Sequence, residues 1–413
     1  MTRHPLEGRS PQTTRRQALQ LGVLAAAAGG GLVGACGRER ERPAPTQQTD
    51  LSRPFRPVRL PLHADVPAIA GGLAAEKGGL LKVLNYPEYL APDVIKKFAD
   101  EHGVKVEITT FTTQDEAIAK LRNTGATFDI YFPTPDILGR VVAGKLLQPL
   151  NPTYLTNLRN AWPALRDPFY DLGSQYTVPY NSYTTGIGYR ADRVTTLPAV
   201  AYDILWNSAY RGKTYVLDDD REVLAMAMLR AGLVDLNTED PNVLKAAGAS
   251  VGGLIDAVNV KVGITAYQAL GEGQATVHQC WSGDIINAQY YLPEGGSTDV
   301  LGFWYPSNLS GVVGTDTIAI PRSAQKPVLA HVFLNHLLSN EVALENFAFT
   351  GYQPALSIVT PEKMVADEFV TENLKSAIVT PDHYDKGIQL LQLSPAGEAL
   401  WEDQWARFKA GTL

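Results

Sequence analysis

Residues 80–132 read LLKVLNYPEYLAPDVIKKFADEHGVKVEITTFTTQDEAIAKLRNTGATFDIYF, and the pattern switches back and forth between two periods. LLKVLNY (80–86) is a short apolar strand. APDVIKKFADEHG (91–103) is a helix entered through Pro92 and stopped by Gly103. VKVEITTF (104–111) alternates as a second strand. TQDEAIAKLRNTG (113–125) opens with Thr113 three residues before Glu116, the spacing of a capping box, and FDIYF (128–132) is a third strand. The β-α-β-α-β order predicts an α/β lobe with a mainly parallel sheet. Ligands of such sheets sit beyond the carboxyl ends of the strands. Here that means Tyr86 to Tyr89 after the first strand and Thr134 to Asp136 after the third.

The chain has 413 residues, 45% of them hydrophobic. That is more than one hydrophobic core normally holds, so two lobes are expected. Its formal net charge is -7, from 43 acidic against 36 basic residues. No basic stripe interleaved with aromatics is present, which argues against a nucleic-acid partner.

The N-terminus carries an address. TTRRQALQLGVLAAAAGGGLVGAC (13–36) places Arg15 and Arg16 before an apolar run from Leu21 to Ala35, then Cys36. The run is too short and too rich in Gly and Ala to span a membrane as a helix. It reads as an export signal of the twin-arginine type over residues 1–35. VGAC resembles a bacterial lipobox, which would leave Cys36 as a lipid-modified N-terminus. Four arginines and one glutamate would depart with the signal, so the mature chain is more acidic still. Residues 36–62, polar and Pro-rich, read as the lipidated cysteine and a disordered tether. Cys280 is then the only other cysteine, so no disulfide framework is expected, and beside Trp281 it reads as a small buried hydrophobe.

The chemistry concentrates in a few short stretches. VLDDDREV (216–223) holds Asp218, Asp219, Asp220 and Glu222, broken only by Arg221. Such a stretch is either the start of a helix, where Asp caps and offsets the dipole, or a receptor for something positive. Asp316 in GTDT precedes the apolar IAIP, and an acid at a strand entrance needs solvent or a partner. His278 and Cys280 share one face of a strand, with no further nearby ligand to complete a metal site. The adjacent tyrosines of QYYLPEG (289–295) suggest paired phenolates, although neighbours in a strand face opposite sides. No GxSxG, Walker A or HExxH motif occurs, which counts against an enzyme.

LNYPEYLAPDVIKKF, YTVPYNSYTTGIGYR, LWNSAYRGKTYVLDDDREV, HQCWSGD, GTDTIAIP and GYQPA occur in an order and spacing that resemble the extracytoplasmic polyamine-binding receptors of ABC importers. The resemblance covers roughly residues 80 to 413. It implies a type II periplasmic-binding-protein fold: two α/β lobes joined by two crossing strands, with ligand held in the cleft between them. The crossings would fall near Thr184–Gly186 and Gly314–Thr317. The first lobe would comprise 63–185 with 315–360, and the second 186–314 with 361–413. The implied partners are a putrescine- or spermidine-like cation, an ABC permease and the membrane through the lipid anchor. A monomer without cofactor, metal or catalytic residue is expected on the outer side of the cytoplasmic membrane.

Residue by residue, the resemblance makes Asp219 and Glu222 the grip on a terminal ammonium, with Asp218, Asp220 and Arg221 left to capping and pairing. Trp281 becomes an aromatic wall, Asp284 an acidic position of putrescine-type members, and Asp316 the carboxylate meeting an inner amine. Tyr86, Tyr89 and Tyr352 complete the aromatic cage, and Thr134 offers a hydroxyl at the mouth. The mixture is chemically coherent. An ammonium has three donors and no acceptor, while its methylene spacer and its charge both favour aromatic faces. Carboxylates crowded into one cleft repel each other, so a cation should favour closure. Three positions depart from the pattern: Tyr86 stands where many members have Trp, and Asp136 and Gly314 replace aromatics of spermidine-type members. Those departures keep other readings open: a receptor for another small cation, such as an amino acid derivative or ferric iron, or an exported enzyme. The stretch 63–79 is an addition without an assigned role.

Overall fold

The computed structural model describes residues 51–123 and 125–413. The export signal, Cys36 and the first part of the tether lie outside them. Strands β1 (Leu80–Asn85), β2 (Lys105–Thr110) and β3 (Ile130–Tyr131) form the β2-β1-β3 order with both pairings parallel. The intervening helix Pro92–His102 buries Val94 and Phe98, four apart and so on one face, and ends at Gly103 with φ 63°. Thr113 accepts the amide of Glu116 as expected. The reciprocal bond is displaced by one residue, Glu116 accepting from the amide of Thr112 at 2.8 Å. Helix Pro135–Ala143 and β4 (Leu147–Gln148) follow.

Two long strands then tie the molecule together: β5 (Thr177–Arg190) and β10 (Val312–Pro321), paired antiparallel. One end of β10 pairs β3 and β4. The far half of β5 pairs β8 (Val277–Trp281) and β9 (Leu301–Trp304). Beyond β8, β6 (Thr214–Val216) and β7 (Lys261–Val262) add parallel neighbours. The path is β2-β1-β3-β10-β5-β8-β6-β7. The chain is thus a two-lobed α/β protein whose lobes share β5 and β10. Phe98, Ile318 and Phe333 anchor the core on the β1–β3 side. Val251, Leu254 and Trp401 anchor one beyond β5, and Cys280, Ile285 and Met364 a third. The Cys280 thiol fills the space over Gly188, where an added Cβ would lie 2.8 Å from Sγ.

Two expectations need correction. Residues 51–62, read as the end of a disordered tether, pack along the first lobe. Leu60 is buried, Val58 exchanges backbone bonds with Phe169 and Leu172, and the Tyr176 hydroxyl donates to the Pro61 carbonyl. Prolines leave few amides to satisfy here, and the lobe's own backbone supplies partners for the rest. The added stretch 63–79 continues this strap and ends in a tertiary cap. Glu76 accepts the amides of Val328 (3.2 Å) and Leu329 (2.7 Å), at a helix start whose own N-cap, Lys326, offers no acceptor. The second correction concerns Gln289–Tyr291, which is a short 3-10 turn rather than a strand. The Tyr290 hydroxyl donates to the Ala348 carbonyl there.

Candidate functional site

Asp316 is placed by an irregularity. The β5–β10 register shifts between Thr315 and Thr317, so that Tyr180 and Asn181 of β5 oppose the single residue Asp316. The extra residue is on β5, and such a bulge re-aims the side chains around it. Thr315 and Thr317 turn their hydroxyls to the carbonyls of Asn181 and Pro133. The Asp316 carboxylate accepts from the Tyr89 hydroxyl. Burial pushes its carboxyl up to about 6, with the Tyr89 bond pulling down and the charge of Asp136 adding to the rise.

Tyr86 and Tyr89 follow β1, beyond its carboxyl end as the α/β rule requires. Tyr86 accepts from Gln114 at 2.6 Å and packs on Phe111. Tyr89 meets Tyr86, Tyr180 and Tyr352 edge-on, with centroids 5.7, 5.1 and 5.4 Å apart. Tyr352 follows Gly351, a left-handed helix stop at φ 75°. Its ring lies over Gly283, where any Cβ would collide with it. Its hydroxyl donates to Asp284 Oδ1 at 2.7 Å. Asp284 is fully buried, its Oδ2 has no hydrogen-bond partner, and burial pushes its carboxyl up to about 7.

The opposing wall is built by DDDREV. Asp219 is itself the N-cap of helix Asp220–Arg230, Oδ1 accepting the amide of Glu222 at 2.9 Å. This corrects the division of labour expected along the stretch: capping falls on Asp219, while Asp218 pairs at the surface with Lys409. Arg221 lies over the Trp401 ring and donates to Asn237 and the Leu391 carbonyl. Glu222 is buried; Oε1 accepts from Trp281 Nε1 at 3.0 Å, the Thr185 hydroxyl also favours its ionised form, and Oε2 makes no hydrogen bond of ordinary geometry. Burial, then the neighbouring Asp219 charge, raises the Glu222 carboxyl; burial and Asp220 raise that of Asp219.

Thr134 is the N-cap position of helix Pro135–Ala143 without using its hydroxyl there, and Asp136 lies half-buried in that helix's first turn. Asp136 reaches the rest electrostatically, its charge raising Asp316, Asp219 and Tyr86. Tyr183 was missing from the sequence-derived set. It lies on β5 edge-on to Trp281, centroids 6.1 Å apart, and the carboxylates bearing on its hydroxyl are Asp316, Glu222, Asp219 and Asp136 in that order. The alternation of TVPYNSYTTGIGYR marks a strand but not which face meets a cleft. Contacts that span the lobes include Tyr352 to Asp284, Tyr267 to Glu88 at 3.2 Å, and Arg140 to Glu398 at 3.4 Å.

A buried acidic and aromatic cleft between two lobes is a small-ligand site, and residues 93–371 match the family described as bacterial extracellular solute-binding protein. The chain belongs to that family. This solute-binding protein is 26% identical to the spermidine/putrescine-binding periplasmic protein of Salmonella typhimurium, over 83% of this chain and 96% of the relative. It is 26% identical to the putrescine-binding periplasmic protein PotF of Escherichia coli, over 71% and 82%. Among solved structures, a putative spermidine/putrescine ABC transporter protein from Listeria monocytogenes aligns with TM-score 0.69 at 24% identity, covering 80% of this chain and 98% of that one. The family is one of transport receptors, not enzymes.

Proposed function

We propose that this solute-binding protein captures a polyamine, putrescine or spermidine, and hands it to an ABC permease, acting at the outer face of the cytoplasmic membrane through a lipid on Cys36. The carrying observation is the pair of orphaned acceptors, Glu222 Oε2 and Asp284 Oδ2, each in a buried carboxylate flanked by aromatic rings. An unpaired buried acceptor costs about 1–3 kcal/mol, and an ammonium donor relieves that cost. Asp219 and Glu222 hold one terminal ammonium, Asp316 meets a second amine, and Asp284, Tyr86, Tyr89, Tyr352, Trp281, Thr134 and Asp136 line the remainder. The named relatives bind the same class of cation, which supports the reading.

A thermal-shift screen of the mature protein against putrescine, spermidine, arginine and ferric ion tests it. Ligand at a hundredfold excess over Kd adds about 2.7 kcal/mol, so a polyamine should raise Tm clearly and the others should not. A shift with ferric ion or arginine alone would overturn the polyamine reading.

A further inference from the structure

Tyr183 and Gly314 are direct cross-strand partners on β5 and β10. The Tyr183 ring lies over Gly314 so closely that a Cβ there would fall inside it, 2.8 Å even from Cε2. Gly314 is two residues from Asp316. The same ring meets, at a steep angle, Trp281, whose indole N–H holds Glu222. One half-buried aromatic therefore lies between the strand that carries Asp316 and the indole that holds Glu222. An aromatic laid over a strand glycine can serve the sheet alone, but this one carries a hydroxyl that feels the charges of Asp316 and Glu222, where a sheet-filling Phe would suffice.

Building on the polyamine reading, we infer that Tyr183 is a specificity-determining wall of this cleft, its ring facing the spacer between two bound amines and its hydroxyl limiting how far apart they sit. Gly314 is the positioning residue that lets the ring lie there. The phenol remains neutral, since burial and the surrounding carboxylates raise its pKa. It can accept from an ammonium and donate to a carboxylate at once.

Titration calorimetry with 1,3-diaminopropane, putrescine, cadaverine and spermidine tests this on wild type, Tyr183→Phe, Tyr183→Ala, Gly314→Ala and the double variant Tyr183→Ala/Gly314→Ala. Loss of an aromatic contact to a cation corresponds to about tenfold in Kd. Tyr183→Ala should lose at least that for the preferred amine and move the optimum to a longer one. Tyr183→Phe keeps the face, so its affinity should stay within about threefold while its discrimination between lengths weakens. Gly314→Ala should lose affinity alone, yet add nothing in the double variant, the coupling expected of touching residues. Should Tyr183→Ala fail to fold, Tyr183→Leu fills the space without a π face and should show the same loss. Wild-type binding of an amine with unchanged Kd and length preference in the folded Tyr183 variants would overturn this inference alone. A wild-type protein that binds none of the four amines would instead overturn the polyamine reading beneath it.

Discussion

One oxygen of Asp219 accepts the Glu222 amide and so starts a helix, while its other oxygen takes no part in the cap. The residue therefore joins both readings of DDDREV, structural and ligand-directed. Asn caps as well as Asp, so Asp219→Asn should leave the apo urea melt within about 0.5 kcal/mol. Its affinity for putrescine should fall by about 1.5–3 kcal/mol, the value of a charge-assisted bond. Asp218→Asn touches only an exposed pair with Lys409 and should change affinity hardly at all, exposed pairs contributing about 0–1 kcal/mol. Equal losses in calorimetry on the two variants would mean a diffuse negative field. Trp281 can be probed as finely. Trp281→Phe keeps an aromatic face but removes the N–H that favours ionised Glu222, so the Glu222 carboxyl should rise further. Affinity should drop by about tenfold at pH 7, and the deficit should narrow at pH 9, where the carboxylate ionises regardless. A deficit constant with pH would assign Trp281 to packing.

At the scale of elements, what was legible followed local rules. Pro92, Gly103 and the Thr113–Glu116 spacing fixed two helices, and apolar alternation the strands around them, because caps and periodicity act within a few residues. Asp316 stood out because an acid between two threonines at a strand entrance needs a partner, and the loop after β1 supplies one in Tyr89. Tyr183 stayed hidden because its placement depends on a glycine more than a hundred residues away, seen only once β5 pairs with β10. The first part of the strap, 51–62, was misread as tether for a similar reason. Its Pro- and Arg-rich composition is that of a tether, and its order comes from backbone partners on distant loops. Glu76 tests that order. Glu76→Ala removes the acceptor for two helix-start amides and should cost about 0.5–2 kcal/mol in urea melts, with putrescine affinity unchanged. A melt equal to wild type would show that water replaces the cap at no cost.

Across the whole molecule, closure and protonation are linked. Rim contacts such as Arg140–Glu398, both partly exposed, contribute about 0–1 kcal/mol and cannot dominate. The enclosed carboxyls of Asp219, Glu222, Asp284 and Asp316 weigh more, all raised by burial. A carboxyl raised from its ordinary value in the closed form binds protons more tightly there than in the open or unfolded chain. The closed apo form is therefore fully favoured by these groups below about pH 4, and loses that contribution as pH rises through about 6 for Asp316 and about 7 for Asp284. A polyamine reverses the sign by supplying the positive charge that the ionised cleft lacks. Apo stability should then fall between about pH 5 and pH 8, while putrescine affinity rises over the same window. Binding at about pH 6 should release protons, visible as a dependence of calorimetric heat on the buffer's ionisation enthalpy. Affinity flat across that window with no proton release would mean that the carboxylates are already solvated and ionised before the ligand arrives. The burial of these acids would then follow closure on the ligand and could not help to drive it.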